Sequence, residues 1–460
     1  MALGRRPEQR QQEMWVATAE LPKSEGHVFY RKLNDLLAQS GFDLFVEKLC
    51  RPHYHPMLGR PGIPVGIYFR MLLVGYFEGL GSQRGIAWRC SDSLSLRAFL
   101  GVPLTEDTPD HSSLTRVRDR LPLEVHAAVF RFVLQAAAEH GLLKGKTVAV
   151  DATTLEANAA MKSIVRRDTG EDWNAYLKRL MLEQGLIEPD ADPTDEELRR
   201  FDKGRKNKRV SNDEWVSQTD PESRIAKMKD GRTHLAYKAE HVIDLETELV
   251  LTAEIYPANR ADTDTLVDSV LEAQLHLNEA GLEVEIEEAV ADKGYHAAET
   301  LELADDLNLR TYIPEPKYVH GRTWTDKPAE YQRVVYNNRR RTKRAKSKRL
   351  QRQRSEKVER SFAHVCETGG ARRTWLWGLE KVRKRYLMSA VARNLGLVMR
   401  ALFGMGTARS LQAAGDSRAL LQRPCFDILS DQIRPFARWL HAKHSQARKS
   451  TFRPTLALAA

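Results

Sequence analysis

Cysteine is scarce in this chain, with four residues (Cys50, Cys90, Cys366 and Cys425) in 460, far apart and with no CxxC pair. That spacing excludes a zinc ribbon or finger and a disulfide scaffold, and implies isolated thiols in a reducing compartment. Long apolar runs are also missing. No stretch approaches the roughly eighteen apolar residues of a membrane span, and the opening MALGRRPEQRQQEMW lacks a signal-peptide core. A cytoplasmic protein with no membrane partner is expected. Hydrophobic content of 42% and charged content of 29% are those of an ordinary globular protein, and the length suits roughly two or three domains. The surplus is positive charge. Lys and Arg number 72 against 62 Asp and Glu, a net +10, which favours a polyanionic partner such as nucleic acid.

Residues 1–26 are polar and read as a flexible arm. From 27 to 143 the pattern is helical, with amphipathic spacing at Tyr30, Leu33, Leu36 and Leu37 and again at Ile67, Met71, Leu72 and Phe77. Gly79 and Gly101 close helices, Pro64 stands at a helix start, and Ser82 and Asp110 or Ser112 are capping residues. Short helices joined by Gly turns, the last presenting Arg116, Arg118 and Arg120, fit a helix-turn-helix-like DNA reader and equally a plain bundle with a solvated Arg face.

From Lys144 the pattern alternates. Val148–Val150 reads as a short strand with Asp151 at its end. Residues 161–220 read as a charged, partly helical insertion containing the basic patch Lys203–Arg209. Strands around Leu235–Val242 and Leu249–Ile255 form a hairpin, and a helix spans about 263–280. Val284, Ile286 and Ala289–Ala291 lead to Asp292, where Gly294 lets the backbone turn. A helix at 297–307 and a strand at 310–314 follow. The segment Arg333–Arg354 then holds eleven Lys or Arg and no acid. Such a run is commonly a solvated or disordered surface, but its place just before a helical segment with Glu359 suits a surface that tracks phosphates. A last core helix carries Tyr386, Leu387, Val391, Asn394 and Leu395, and residues 404–460 read as a basic tail.

Asp151 and Asp292 at strand ends and Glu359 on a helix form a candidate set. Two Asp and one Glu suffice for hard divalent cations in phosphodiester chemistry, with water or a DNA 3′-hydroxyl as nucleophile. The stretches VAVDATTLEANA, AVADKGYHAAETL and EKVERSFAHVCETGGARRTWLWGLEKVRKRYLMSAVARNLGLVMR resemble the three blocks of bacterial insertion-sequence DDE transposases, of the insertion-sequence four/five type. HPMLGRPGIPVGIYFRMLLVGYFEGLGSQRGIAWRCSDSLSLRAFLGVP with PDHSSLTRVRDRL resembles their helical N-terminal domain.

The resemblance implies an α/β fold: an RNase H-like catalytic domain over 144–403 behind an all-α DNA-binding domain over 27–143. It implies a metal-binding catalytic triad on Asp151, Asp292 and Glu359, and Mg²⁺ or Mn²⁺ as cofactor. It further implies cleavage and strand transfer of double-stranded DNA (terminal inverted repeats and target), by a homodimer on paired ends in the bacterial nucleoid. Arg116, Arg118, Arg120, Arg339, Arg340, Arg341, Lys343, Arg344, Arg360, Arg372 and Arg373 are the candidate DNA contacts. The alternatives are an RNase H-like nuclease without strand transfer and a catalytically inactive DNA-end-binding protein. Two departures stand out. Ser355 occupies the place of an Arg, with Arg352 and Arg354 near it, and Val365 and Cys366 occupy the place of a Lys. Arg360, Arg372 or Arg373 would then take over the phosphate contact. Glu356 is the substitute for Glu359, and Trp324 a possible platform for a flipped base.

Overall fold

The computed structural model describes residues 26–408 apart from 60–61, 207–209, 229–230, 318–321 and 326, together with Trp15 and Ala17. The arm over 1–26 and the tail over 404–460 therefore lie almost wholly outside the described residues.

Seven helices come first: α1 (Val28–Gln39), α2 (Phe42–Cys50), α3 (Val65–Glu78), α4 (Gln83–Asp92), α5 (Leu94–Leu100), α6 (His111–Arg120) and α7 (Leu123–Glu139). Local chemistry sets their ends. Ser82 and Asp110 accept hydrogen bonds from the Gly85 and Ser113 amides, satisfying otherwise orphaned donors. Gly79 and Gly101 close α3 and α5 at φ 68° and 70°, a left-handed conformation that glycine adopts without steric cost. α3 is apolar nearly all round and accordingly buried, with Tyr68, Phe69, Met71, Val74 and Phe77 almost inaccessible.

The second part is built on a mixed sheet. Its strands are β1 (Thr147–Glu156), β4 (Arg224–Lys227), β5 (Thr233–Asp244), β6 (Val250–Pro257), β7 (Glu288–Val290) and β8 (Arg310–Tyr312). β2 (Ile164–Arg166) and β3 (Trp215–Ser217) form a separate antiparallel pair. In the main sheet β6 and β4 both pair with β5, β5 pairs antiparallel with β1, and β1, β7 and β8 run parallel. Helices α10 (Leu266–Glu279), α11 (Ala298–Asp306), α12 (Ala329–Thr342), α13 (Ala345–Phe362) and α14 (Leu379–Phe403) complete the layers, and a π-helical turn, Ala363–Thr368, follows α13. The segment between β1 and β5 also contains α8 (Trp173–Glu183) and α9 (Asp195–Gly204). They enclose a small core of Leu177, Met181 and Leu198, beside which Trp173, Tyr176 and Trp215 pack together.

Three expectations need correction. β1 is not a short strand ending at Asp151. It pairs with β5 from Val148 to Glu156, because Thr153 and Leu155 continue the alternation and are buried. Asp151 is thus mid-strand opposite His241, just past the last parallel pair, Ala149 with Val290. The basic run is helical, lying in α12 and α13, because Val334, Val335, Asn338, Ser347 and Leu350 give it a buried face. The insertion carries strands β2 and β3 as well as helices. No single helix among the described residues is long and apolar enough to cross a membrane. The described cysteines, Cys50, Cys90 and Cys366, are free and buried.

One continuous apolar core runs through both parts. α7 and α3 pack against α14, and α7 also meets α10. Asn394, fully buried on α14, accepts from the Val250 amide and donates to its carbonyl (2.9 and 2.8 Å). That side chain satisfies a β6 backbone pair that nothing apolar could.

Candidate active site

Helix α13 crosses the sheet on three polar anchors. Gln351 donates to the carbonyls of Ala291 and Tyr312 (2.9 and 2.6 Å), tying the helix to the ends of β7 and β8. Arg354 Nη1 donates to Asp151 Oδ2 at 2.6 Å, while its Nε is held by Gln351. Ser361 meets His241 Nδ1 at 2.7 Å, and Phe362 stacks on that imidazole with centroids 4.2 Å apart. His241 Nε2 meets the Tyr386 hydroxyl at 2.8 Å. Burial, with the Arg393 charge adding to it, drives the His241 pKa well below its ordinary value, so the ring is neutral.

Asp151 is largely enclosed. Its Oδ1 accepts from the Ala152 amide. Burial raises its pKa, Arg354 opposes the rise, and the neighbouring charge of Asp292 adds to it. Asp292 follows β7 by two residues and accepts from the Gly294 amide at 2.7 Å. Parallel pairing of β1 with β7 thus brings the two aspartates, 141 residues apart in sequence, into electrostatic contact. Glu359 is exposed on α13, where Ser355 Oγ donates to it at 3.0 Å. At about 100° per residue, Ser355 and Glu359 flank the sheet-facing row of Gln351, Val358 and Phe362. Glu356 lies further round and is taken by Arg360 at 2.5 Å.

Among the described residues no three His, Cys, Asp or Glu side chains are gathered closely enough to hold a metal ion. The donor chemistry of the aspartate pair nevertheless suits a hard divalent cation, and Asp151 already stabilises the positive charge of Arg354.

Behind Asp292 lies a network that the sequence reading missed. Lys238 Nζ, 7% exposed, reaches Asp262 at 2.8 Å, Thr265 at 2.9 Å and Glu240 at 3.4 Å. Glu240, fully buried, also accepts from Ser269 and from Tyr295, the latter at 2.8 Å. A Cβ on Gly294 would stand 2.9 Å from Asp262 and 3.0 Å from Asp292, so both carboxylates crowd this glycine. The available signal was Lys238 and Glu240 two apart in the middle of a largely apolar strand, hence on one face and oppositely charged. Asp262, in a turn, carried none.

The basic residues divide. Arg116, Arg340, Lys343 and Arg344 are exposed. Arg118 is buried beside Asp119 and over the Trp375 ring, and Arg120 lies over Tyr54. Arg341 turns inward to Thr311 and Arg339 pairs with Glu315. Arg360 is committed to Glu248 and Glu356, Arg372 to Glu367 and Thr153, and Arg373 faces Glu156 at 3.7 Å. None of these last three contacts Asp151 directly; Arg354 does. At the other departure Val365 and Cys366 are both buried, and burial pushes the Cys366 thiol up to about 11 against the charges of Arg372 and Arg385, so neither of the two supplies a cation. Trp324 is half-buried against Tyr336 and the core with Arg322 over its ring, as a packing residue would be.

A basic protein with one aspartate on a strand and a second just past the end of its parallel neighbour, roofed by an arginine-rich helix, belongs to the class that works on nucleic acid. Family models define it further. The Transposase DDE domain matches residues 144–395 and the Transposase domain (DUF772) matches 17–120. The first covers more than half of the chain, which therefore belongs to the DDE transposase family and is a DNA transposase. No curated protein matches the sequence.

Proposed function

We propose that the chain is an insertion-sequence transposase that cleaves the ends of its element and joins them to target DNA, with Asp151, Asp292 and Glu359 as the catalytic acids. The observation that carries this reading is the register of β1 with β7, which sets Asp151 beside Asp292 under α13. Three antiparallel strands followed by two parallel ones, in the order β6-β5-β1-β7-β8, are read here as an RNase H-like core. The three acids, which are not gathered into a metal site among the described residues, would have to close around Mg²⁺ or Mn²⁺, which when bound supplies a Lewis acid and lowers the pKa of the attacking hydroxyl.

The remaining roles belong to the chain. Arg354, fixed by Gln351, orients the Asp151 carboxylate and tempers its burial. Ser355 orients Glu359, a preference over Glu356 that the Arg360 ion pair supports. Lys238, through Asp262, sets the wall behind Asp292. The exposed Arg340, Lys343 and Arg344 and the exposed Arg116 would engage phosphates, and a dimer would act on paired ends within the nucleoid.

Cleavage and joining of an end-containing duplex in Mg²⁺ tests the reading, with wild type beside Asp292→Asn and Glu359→Gln. Joined products from wild type and binding alone from both variants support it. Cutting without joining would point to a nuclease. Binding without cutting, the outcome that the uncharged Val365–Cys366 position favours, would identify an inactive end-binding protein.

A further inference from the structure

Where the end of α13, the β5–β6 turn and α14 meet the residues after α14, a small pocket is lined by Glu248, Arg360, His364, Arg393, Arg400 and Gly406, among others. Three guanidiniums and an imidazole face one carboxylate. Arg393 is 3% exposed and its Nη1 donates to the Glu248 carbonyl at 2.6 Å, but its Nε is buried without a hydrogen-bond partner among the described residues. Arg360 Nη1 takes the Glu248 carboxylate at 2.6 Å. Glu248 itself stands at φ 68°, a conformation that residues bearing side chains seldom adopt, with both its carbonyl and its carboxylate gripped by arginines.

The one acid among the described residues that line the pocket is therefore taken. Arg400, whose Nε and Nη2 would stand 2.9 and 3.0 Å from a Cβ on Gly406, pairs with no carboxylate among the described residues. Burial and then the charges of Arg393, Arg400 and Arg360 lower the His364 pKa, so the field inside is positive. Buried guanidinium donors are stable when matched by an anion and costly when they are not. The enclosed space, about 20 Å³, admits one water-sized group and no sugar or base.

We propose that this pocket binds one oxygen of a phosphate-type oxyanion, donated to by Arg393 Nε and the Arg400 guanidinium. The oxyanion has two sources, a DNA phosphodiester at the mouth or free inorganic phosphate. The site does not depend on Asp151, Asp292 or Glu359 carrying catalysis.

The full chain is melted in rising inorganic phosphate against chloride at constant ionic strength, as wild type, Arg400→Gln and Arg393→Lys, with circular dichroism confirming the fold of each. Wild type is expected to gain thermal stability saturably. The exposed Arg400→Gln should need roughly tenfold more phosphate for the same gain, the usual effect of one charge-assisted contact. Duplex binding across a salt series identifies the source. If DNA supplies the oxyanion, Arg400→Gln weakens binding about tenfold and lowers the salt slope by about one. Unchanged DNA binding with a weakened phosphate response assigns the pocket to the free ion. If neither variant differs from wild type in either measurement, the proposal is overturned.

Discussion

At Asp151 burial and ion pairing pull in opposite directions. Burial raises its pKa and Arg354 lowers it, so Arg354→Gln should leave a largely enclosed carboxylate without its counter-ion. A loss of about 1–2 kcal/mol near neutral pH is expected, less than for a fully buried pair because Asp151 keeps a quarter of its side-chain surface. The sign with pH follows from linkage. A carboxylate whose folded pKa lies above its unfolded value is most favourable to folding when protonated, and that advantage is lost as pH rises through the folded pKa. Urea unfolding of Arg354→Gln should therefore show a deficit that shrinks on acidification, and adding Asp151→Asn should remove the pH dependence. An equal deficit at every pH would show that the pair carries no such coupling. At Gly294, alanine would meet Asp262 and Asp292 at about 3 Å. Gly294→Ala should retain the cooperative unfolding transition while losing at least tenfold in cleavage; undiminished cleavage would mean that the crowding does not matter.

Among the elements, α13 and α14 do the positioning, and they differ in how readable they were. α14 follows from its apolar spacing, and Asn394 stood out in the sequence as a polar residue within it. Only the fold shows that it satisfies both backbone groups of Val250. Asn394→Ala would leave those groups buried and unpaired, and a loss of about 2–3 kcal/mol in chemical denaturation is expected. A loss below about 0.5 kcal/mol would mean that β6 is held some other way. α13 was harder, because a run of eleven basic residues spread over two helices hides the sparse buried positions that make it a face. The strand-to-helix order was legible from local patterning; Asp151, Asp292 and Glu359 drew notice through the resemblance of their blocks, and the strand end expected at Asp151 is mid-strand instead. The Arg354–Asp151 pair and the Lys238–Asp262–Glu240 cluster were not legible, since both join residues brought together by sheet register, which no local pattern records.

Over the whole molecule, buried histidines are expected to weaken folding as the pH falls. His126, fully buried between the Tyr68 hydroxyl and the Pro122 carbonyl, is pushed down to about 4 by burial, and His241 is also depressed. A depressed histidine contributes its full stability above the unfolded value near 6.5 and loses it as pH falls towards the folded one. For His126 that is roughly 3 kcal/mol by pH 4. His126→Gln should flatten the decline between pH 6.5 and 4 in urea titrations, and an unaltered slope would exclude this histidine as its source.

α14 lies against α3 and α7 on one side and against β6 on the other, while the two family models divide the chain between residues 120 and 144. What two family models describe separately is therefore folded as one. Recombination that exchanged the first module for that of a distant relative would have to carry a matching surface for α14, so the two parts are constrained to diverge together rather than be shuffled.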